Sequence, residues 1–175
     1  MTYYASADLA RAFRTVRKNT IQLAQEIPEA EYQFRPAPDS RTVAEMLAHM
    51  ASQTSWVRQM HGVDRKSFVS FEDFQHYMKE VKTNETSLAA RPKDEILAAL
   101  ASEGETFAAW VGELPDTALA ETVGFPSPID PPQKTRFEML LGAKEHEMHH
   151  RGQLMVIQRM LGLVPHLTRA RQQRG

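Results

Sequence analysis

The segment from Thr135 to Leu161, TRFEMLLGAKEHEMHHRGQLMVIQRML, decides how the chain folds. Thr135 and Glu138 have the spacing of a capping box, in which a hydroxyl and a carboxylate reciprocally satisfy free N–H groups of a first helical turn. At about 100° per residue, Met139, Ala143, Leu154, Ile157 and Leu161 fall within roughly 60° of one another, so this helix has one inward face. Gly162 suits a C-terminal cap, and Pro165 forbids continuation. His146 and His150 lie inside or at the edge of the inward arc, one turn apart, while His149 falls about 60° outside it. Two inward imidazoles must be hydrogen-bonded or metal-bound, because each unpaired buried polar group costs about 1–3 kcal/mol.

Working outward, the same periodicity recurs. Leu9, Phe13, Val16, Leu23 and Ile27, with Thr20 filling the gap, mark a first helix with Ser6 as its expected N-cap and Pro28 as its stop. Arg11, Arg14, Arg17 and Lys18 are assigned to its solvated sides. Residues 29–40 read as a connector. Thr42 and Glu45 again have capping-box spacing, opening a second helix that turns Val43, Met46, Leu47, Met50 and Val57 inward and ends near residue 61. Phe71, Phe74, Tyr77, Met78 and Val81 predict a short extra helix, 71–81, covering a bundle edge or walling a pocket. From Pro92 a third long helix carries Leu97, Leu100, Phe107, Val111 and Leu114, with Gly104 on the same stripe permitting close approach or leaving room for a ligand. Residues 115–133 are too proline-rich for an element, and the tail HLTRARQQRG reads as a frayed, solvated end. The sum is an all-α fold, a four-helix bundle with one short extra helix, in a single domain spanning 1–175.

Composition narrows the chemistry. With 21 Lys+Arg against 22 Asp+Glu the formal charge is −1, which lacks the basic excess that a phosphate backbone requires, so no nucleic-acid partner is expected. Cys is absent, which leaves metal binding to His, Asp and Glu and is compatible with a reducing cytoplasm. No apolar run of 18 or more residues occurs, so no membrane partner is expected.

Seven His occur, at 49, 61, 76, 146, 149, 150 and 166. His146 and His150 can converge on one ion from a rigid backbone, and His49, mid-helix beside Met46 and Gln53, is the best third ligand. His61, His76 and His166 are assigned to the surface. Three neutral nitrogens without a thiolate would leave a coordination position for water or substrate, as catalytic zinc sites do. His146-Glu147-Met148-His149-His150 also satisfies HExxH, the metalloprotease signature with Glu147 as general base. That reading lacks its continuation. Gln153 and Val156 stand where the elongated motif needs Gly and His, and no carboxylate follows Glu147. Glu147 is therefore a candidate base or supporting group, with a solvent-facing helix carboxylate as the alternative.

HEMHHRGQL, the Gly162 and Pro165 that follow it, and SRTVAEMLAHM around His49 resemble the DinB-like (YfiT-like) family of metal-binding four-helix bundles. The family pattern of one histidine on helix two and two on the last long helix maps onto His49, His146 and His150. The resemblance implies a divalent metal ion, zinc or nickel, a homodimer, and in some relatives thiol-dependent transfer or isomerisation with low-molecular-weight thiols. The resulting expectation is a metal-dependent enzyme performing small-thiol transfer or metal-assisted hydrolysis of a small molecule. The alternative is a non-catalytic, stress-related dimeric scaffold that binds metal.

Overall fold

The computed structural model describes residues 4–173. In chain order the elements are α1 (Ser6–Glu26), α2 (Val43–Arg58), α3 (Phe71–Ala89), α4 (Lys93–Glu113), α5 (Asp116–Leu119), β1 (Thr122–Gly124), β2 (Gln133–Thr135), α6 (Arg136–Met160) and α7 (His166–Gln172). Both expected capping boxes form. The Glu45 N–H donates to Thr42 Oγ1 at 3.1 Å while the Thr42 N–H donates to Glu45 Oε2 at 2.8 Å. Thr135 and Glu138 make the same exchange at 2.7 and 3.2 Å. Gly162, at φ 76°, follows α6 in the left-handed conformation that a glycine tolerates without strain.

The four long helices α1, α4, α2 and α6 close a ring in which each packs on the next, and α3 lies outside against α2. Their apolar stripes meet in two clusters. One gathers Ile27, Val43, Leu47, Met50, Leu100, Leu154 and Ile157; the other gathers Leu9, Phe13, Val57, Phe107, Val111 and Leu140. Among the described residues no helix is long and apolar enough to cross a membrane.

Several local expectations are corrected. Ala5, not Ser6, is the N-cap of α1, because the Ser6 N–H and hydroxyl both donate to Asp116 from a buried position. The second helix passes through a π turn at Gln59–Val63 rather than ending at residue 61. The extra helix is not short; it continues past Val81 to Ala89, since nothing in 82–89 breaks it and Glu85 and Leu88 stay in phase with Val81. Residues 115–133 are not structureless: α5 and an antiparallel pair, with Thr122 opposite Thr135 and Gly124 opposite Gln133, lead into α6. The tail forms α7 through Gln172, while Arg174 and Gly175 lie outside the described residues.

His61 and His166 are buried, not superficial. Arg136, itself buried, donates to His61 Nδ1 at 2.9 Å and to the Lys66 carbonyl at 2.9 Å, and its Nε donates to Glu121 at 2.8 Å. This guanidinium ties the chain after α2 to the start of α6. Burial, reinforced by Arg136, pushes the His61 imidazole down to about 4. A depressed folded-state value means that the unfolded chain binds the proton more readily, so His61's stabilising contribution is complete above about pH 6.5. It is lost as pH falls through about 4. In NMR titration the His61 ring should hold its neutral signature to below pH 5; a midpoint near 6.5 would refute the buried pairing.

Candidate metal centre

Arg17 organises the bundle interior. The sequence assigned it to solvent, yet it is buried, as is Glu147 opposite. Its Nε lies 2.9 and 2.8 Å from the two Glu147 oxygens and its Nη2 lies 2.8 Å from Oε2. Nη1 donates to the Leu100 carbonyl at 2.7 Å and Nη2 to the Met50 carbonyl at 3.1 Å. One side chain from α1 thereby bonds α6, α4 and α2 together. Gly104 makes the room: a Cβ there would stand 2.8 Å from Arg17 Cγ, so its place on the apolar stripe serves close packing of Arg17. The 13, 17, 20, 24 spacing of Phe13, Arg17, Thr20 and Ala24 is the sequence signal of this inward position, masked because a charged side chain is rarely buried without a partner.

This polar layer brackets the histidines. Met50 follows His49 on α2 and Glu147 follows His146 on α6, so the guanidinium fixes both histidine-bearing backbones one residue away from the rings. The structure brings together all three expected ligands. One nitrogen each from His49, His146 and His150 lies within 4.8 Å of the others. His146 Nε2 is 2.9 Å from His49 Nε2 and 3.2 Å from His150 Nε2. His149 is exposed on the next face, and His76 is exposed on α3.

The outer nitrogens of two rings are held by acceptors. His49 Nδ1 contacts Glu85 of α3, and His150 Nδ1 lies 2.7 Å from Gln153 Oε1, while the Gln153 amide nitrogen sits 3.2 Å from His149 Nε2. Carboxylate and amide oxygens accept only, so in the neutral rings Nδ1 carries the proton and Nε2 of both His49 and His150 presents a lone pair. His146 can offer at most one proton at its own Nε2. At least two lone pairs therefore converge where a single hydrogen bond can form, and a cation among the three nitrogens relieves what remains. The donor set thus fits a divalent metal ion.

The rings are also poised as neutral ligands. Burial first, then the neighbouring imidazoles, pushes His146 down to about 3. Burial pushes His150 down to about 4 against the opposing Gln153 bond, and burial lowers His49 despite Glu85. Glu85 lies one turn beyond Val81, where the apolar periodicity of 71–81 ends, so no local pattern points to it. Glu147 is placed on the opposite side of α6 from solvent, its carboxylate engaged by Arg17.

A cavity of about 1040 Å³ opens beside the cluster, between the chain leading into α2, the end of α3 and the middle of α6. His150 and Glu85 line its inner wall; Arg41, Lys82, His149 and Gln153 also border it. Residues 63–90 therefore both cover an edge and wall a pocket.

Three solved structures share this architecture. A Streptococcus pneumoniae protein has a TM-score of 0.68 at 17% identity, with 91% of this chain and 93% of its own covered. A Clostridium difficile protein has a TM-score of 0.69 at 14% identity, with 91% and 98% covered. The colibactin self-resistance protein ClbS, in a structure with double-stranded DNA, has a TM-score of 0.66 at 12% identity, with 90% and 98% covered. At such identities the likeness shows the fold alone. No curated protein matches the chain. The profile of the DinB superfamily matches residues 12–154, a span that begins in α1, ends in α6 and includes all three clustered imidazoles, and the chain belongs to that superfamily.

Proposed function

We propose that the protein is a metal-dependent enzyme in which His49, His146 and His150 hold a divalent ion of the zinc or nickel type, acting on a small molecule by thiol-dependent transfer or metal-assisted hydrolysis. The convergence of three neutral Nε2 atoms beside an open cavity carries the reading. When bound, such an ion supplies a Lewis acid that lowers the pKa of a thiol or water. Glu85 and Gln153 orient two of the rings, and the cavity admits the substrate. Since the chain has no Cys, a thiol enters as co-substrate. Proteolysis through the HExxH motif is disfavoured, because the carboxylate it needs as base is bonded to Arg17. A DNA partner, as in ClbS, finds no support in a formal charge of −1. Metal analysis of the purified protein followed by turnover assays with several thiols and ester substrates tests the proposal. Absence of stoichiometric metal, or full activity after chelation, would overturn it.

A homodimer is favoured by the outer face of α6. Met148, Gly152, Val156 and Met160 form an exposed stripe at four-residue spacing, and a Cβ on Gly152 would meet nothing within 4 Å. A mid-helix glycine costs about 1 kcal/mol relative to Ala, and packing within this chain does not require it. Antiparallel pairing of two α6 helices about a two-fold axis at Gly152 sets Met148 opposite the second copy's Val156. Glu145 and Arg159, seven residues to either side, then meet as opposite charges. Sedimentation should show a dimer that Glu145→Lys dissociates and the reciprocal pair E145K/R159E restores. A monomeric wild type, or no restoration, removes this interface.

A further inference from the structure

The wall of the cavity carries more charge than the metal reading uses. Three cations, Arg35, Arg41 and Lys82, face three carboxylates, Asp39, Glu45 and Glu85. Two of the carboxylates are already committed. Glu45 accepts from the Thr42 N–H and from Arg35 at 3.0 Å, and Glu85 holds His49 Nδ1. Asp39 stands exposed, on the chain leading into α2. Arg41, on the chain entering α2, and Lys82, on α3 near Glu45, remain, neither in a salt bridge with a carboxylate among the described residues. Two cations outside any salt bridge thus line the same cavity as His150.

We infer that this cavity binds a small oxyanion-bearing molecule, a carboxylate or a phosphate ester, with its anionic group between Arg41 and Lys82 and its remainder directed toward His150. The inference deepens the proposed function by naming its substrate class. It is separable from it, because Arg41 and Lys82 are not metal ligands and act on the anion whether or not the imidazoles are loaded. A guanidinium supplies paired donors matched to a carboxylate or phosphate, and an ammonium adds a second charge from α3. The volume of about 1040 Å³ suits a small ligand.

The test is calorimetric titration at low ionic strength with three probes: succinate, inorganic phosphate, and a double-stranded oligonucleotide. Each is run on metal-free and on zinc-loaded protein. Succinate or phosphate should bind the metal-free wild type, and Arg41→Ala combined with Lys82→Ala should weaken that binding at least about tenfold, a factor typical of charge-assisted contacts. The zinc content of that double variant should equal that of the wild type. Arg11→Ala with Lys18→Ala removes the same charge from α1, which does not line the cavity, and should leave anion binding unchanged. The inference is overturned if neither small anion binds, if both double variants weaken binding equally, or if the oligonucleotide alone binds. Loss of zinc binding by the wild type with anion binding intact would instead remove the metal reading and leave this one standing.

Discussion

Arg17→Ala should destabilise the protein by about 3–5 kcal/mol, the usual cost of stranding one partner of a buried ion pair. For a chain of this size, at roughly 2–4 °C per kcal/mol, the melting temperature should fall by about 6–20 °C. The substitution leaves the buried Glu147 carboxylate without the guanidinium that engages both of its oxygens, and it opens the space that Gly104 clears between α1 and α4. The paired change R17M/E147L removes both charges and should recover most of the loss, since a buried pair replaced by apolar groups of similar volume is often neutral or better. The contrast between single and paired variants is the informative measurement. A loss below about 1 kcal/mol in the single variant, or no recovery in the pair, would show that the carboxylate is not buried as described.

His146→Ala should abolish stoichiometric metal binding, while His149→Ala should keep it. His146 Nε2 is the atom that both other rings approach, at 2.9 and 3.2 Å, so its removal leaves two donors with nothing between them. The loss in zinc affinity should exceed the roughly 10–100-fold that losing a supporting hydrogen bond costs. His149 points to the exposed side, and its one described bond reaches Gln153. Elemental analysis after dialysis separates the two cases, and equal retention by both variants would remove the three-histidine assignment. Chelation of the wild type should lower its melting temperature without unfolding it. The two apolar clusters contain none of the imidazoles, so a bound metal would add binding free energy to a bundle that is already folded.

Much of the fold could be read along the chain because its signals are local. Thr42 with Glu45 and Thr135 with Glu138 announced two helix starts, since a capping box needs only residues within one turn. Leu9, Phe13, Val57, Leu100 and Leu154 lie where their periodicity put them, inside the ring. The convergence of His146 and His150 followed from one turn of helix. His49 was reached with less force, from the margin of an apolar face, and the meeting of its ring with the other two belongs to the packing of α2 against α6.

What periodicity alone determined, then, was which faces turn inward and which two histidines share one of them, because the helix repeat acts within a few residues. Tertiary structure decided the fate of the charges and the third ring. Arg17 is buried because Glu147, 130 residues away in sequence, and the gap at Gly104 receive it. His61 is neutral because it is buried and because Arg136, 75 residues away in sequence, donates to it there, and His49 is oriented because α3 runs far enough to bring Glu85 to it. A charged or titratable side chain is buried only where a partner offsets its lost hydration, and that partner is supplied by a helix whose position no local pattern specifies.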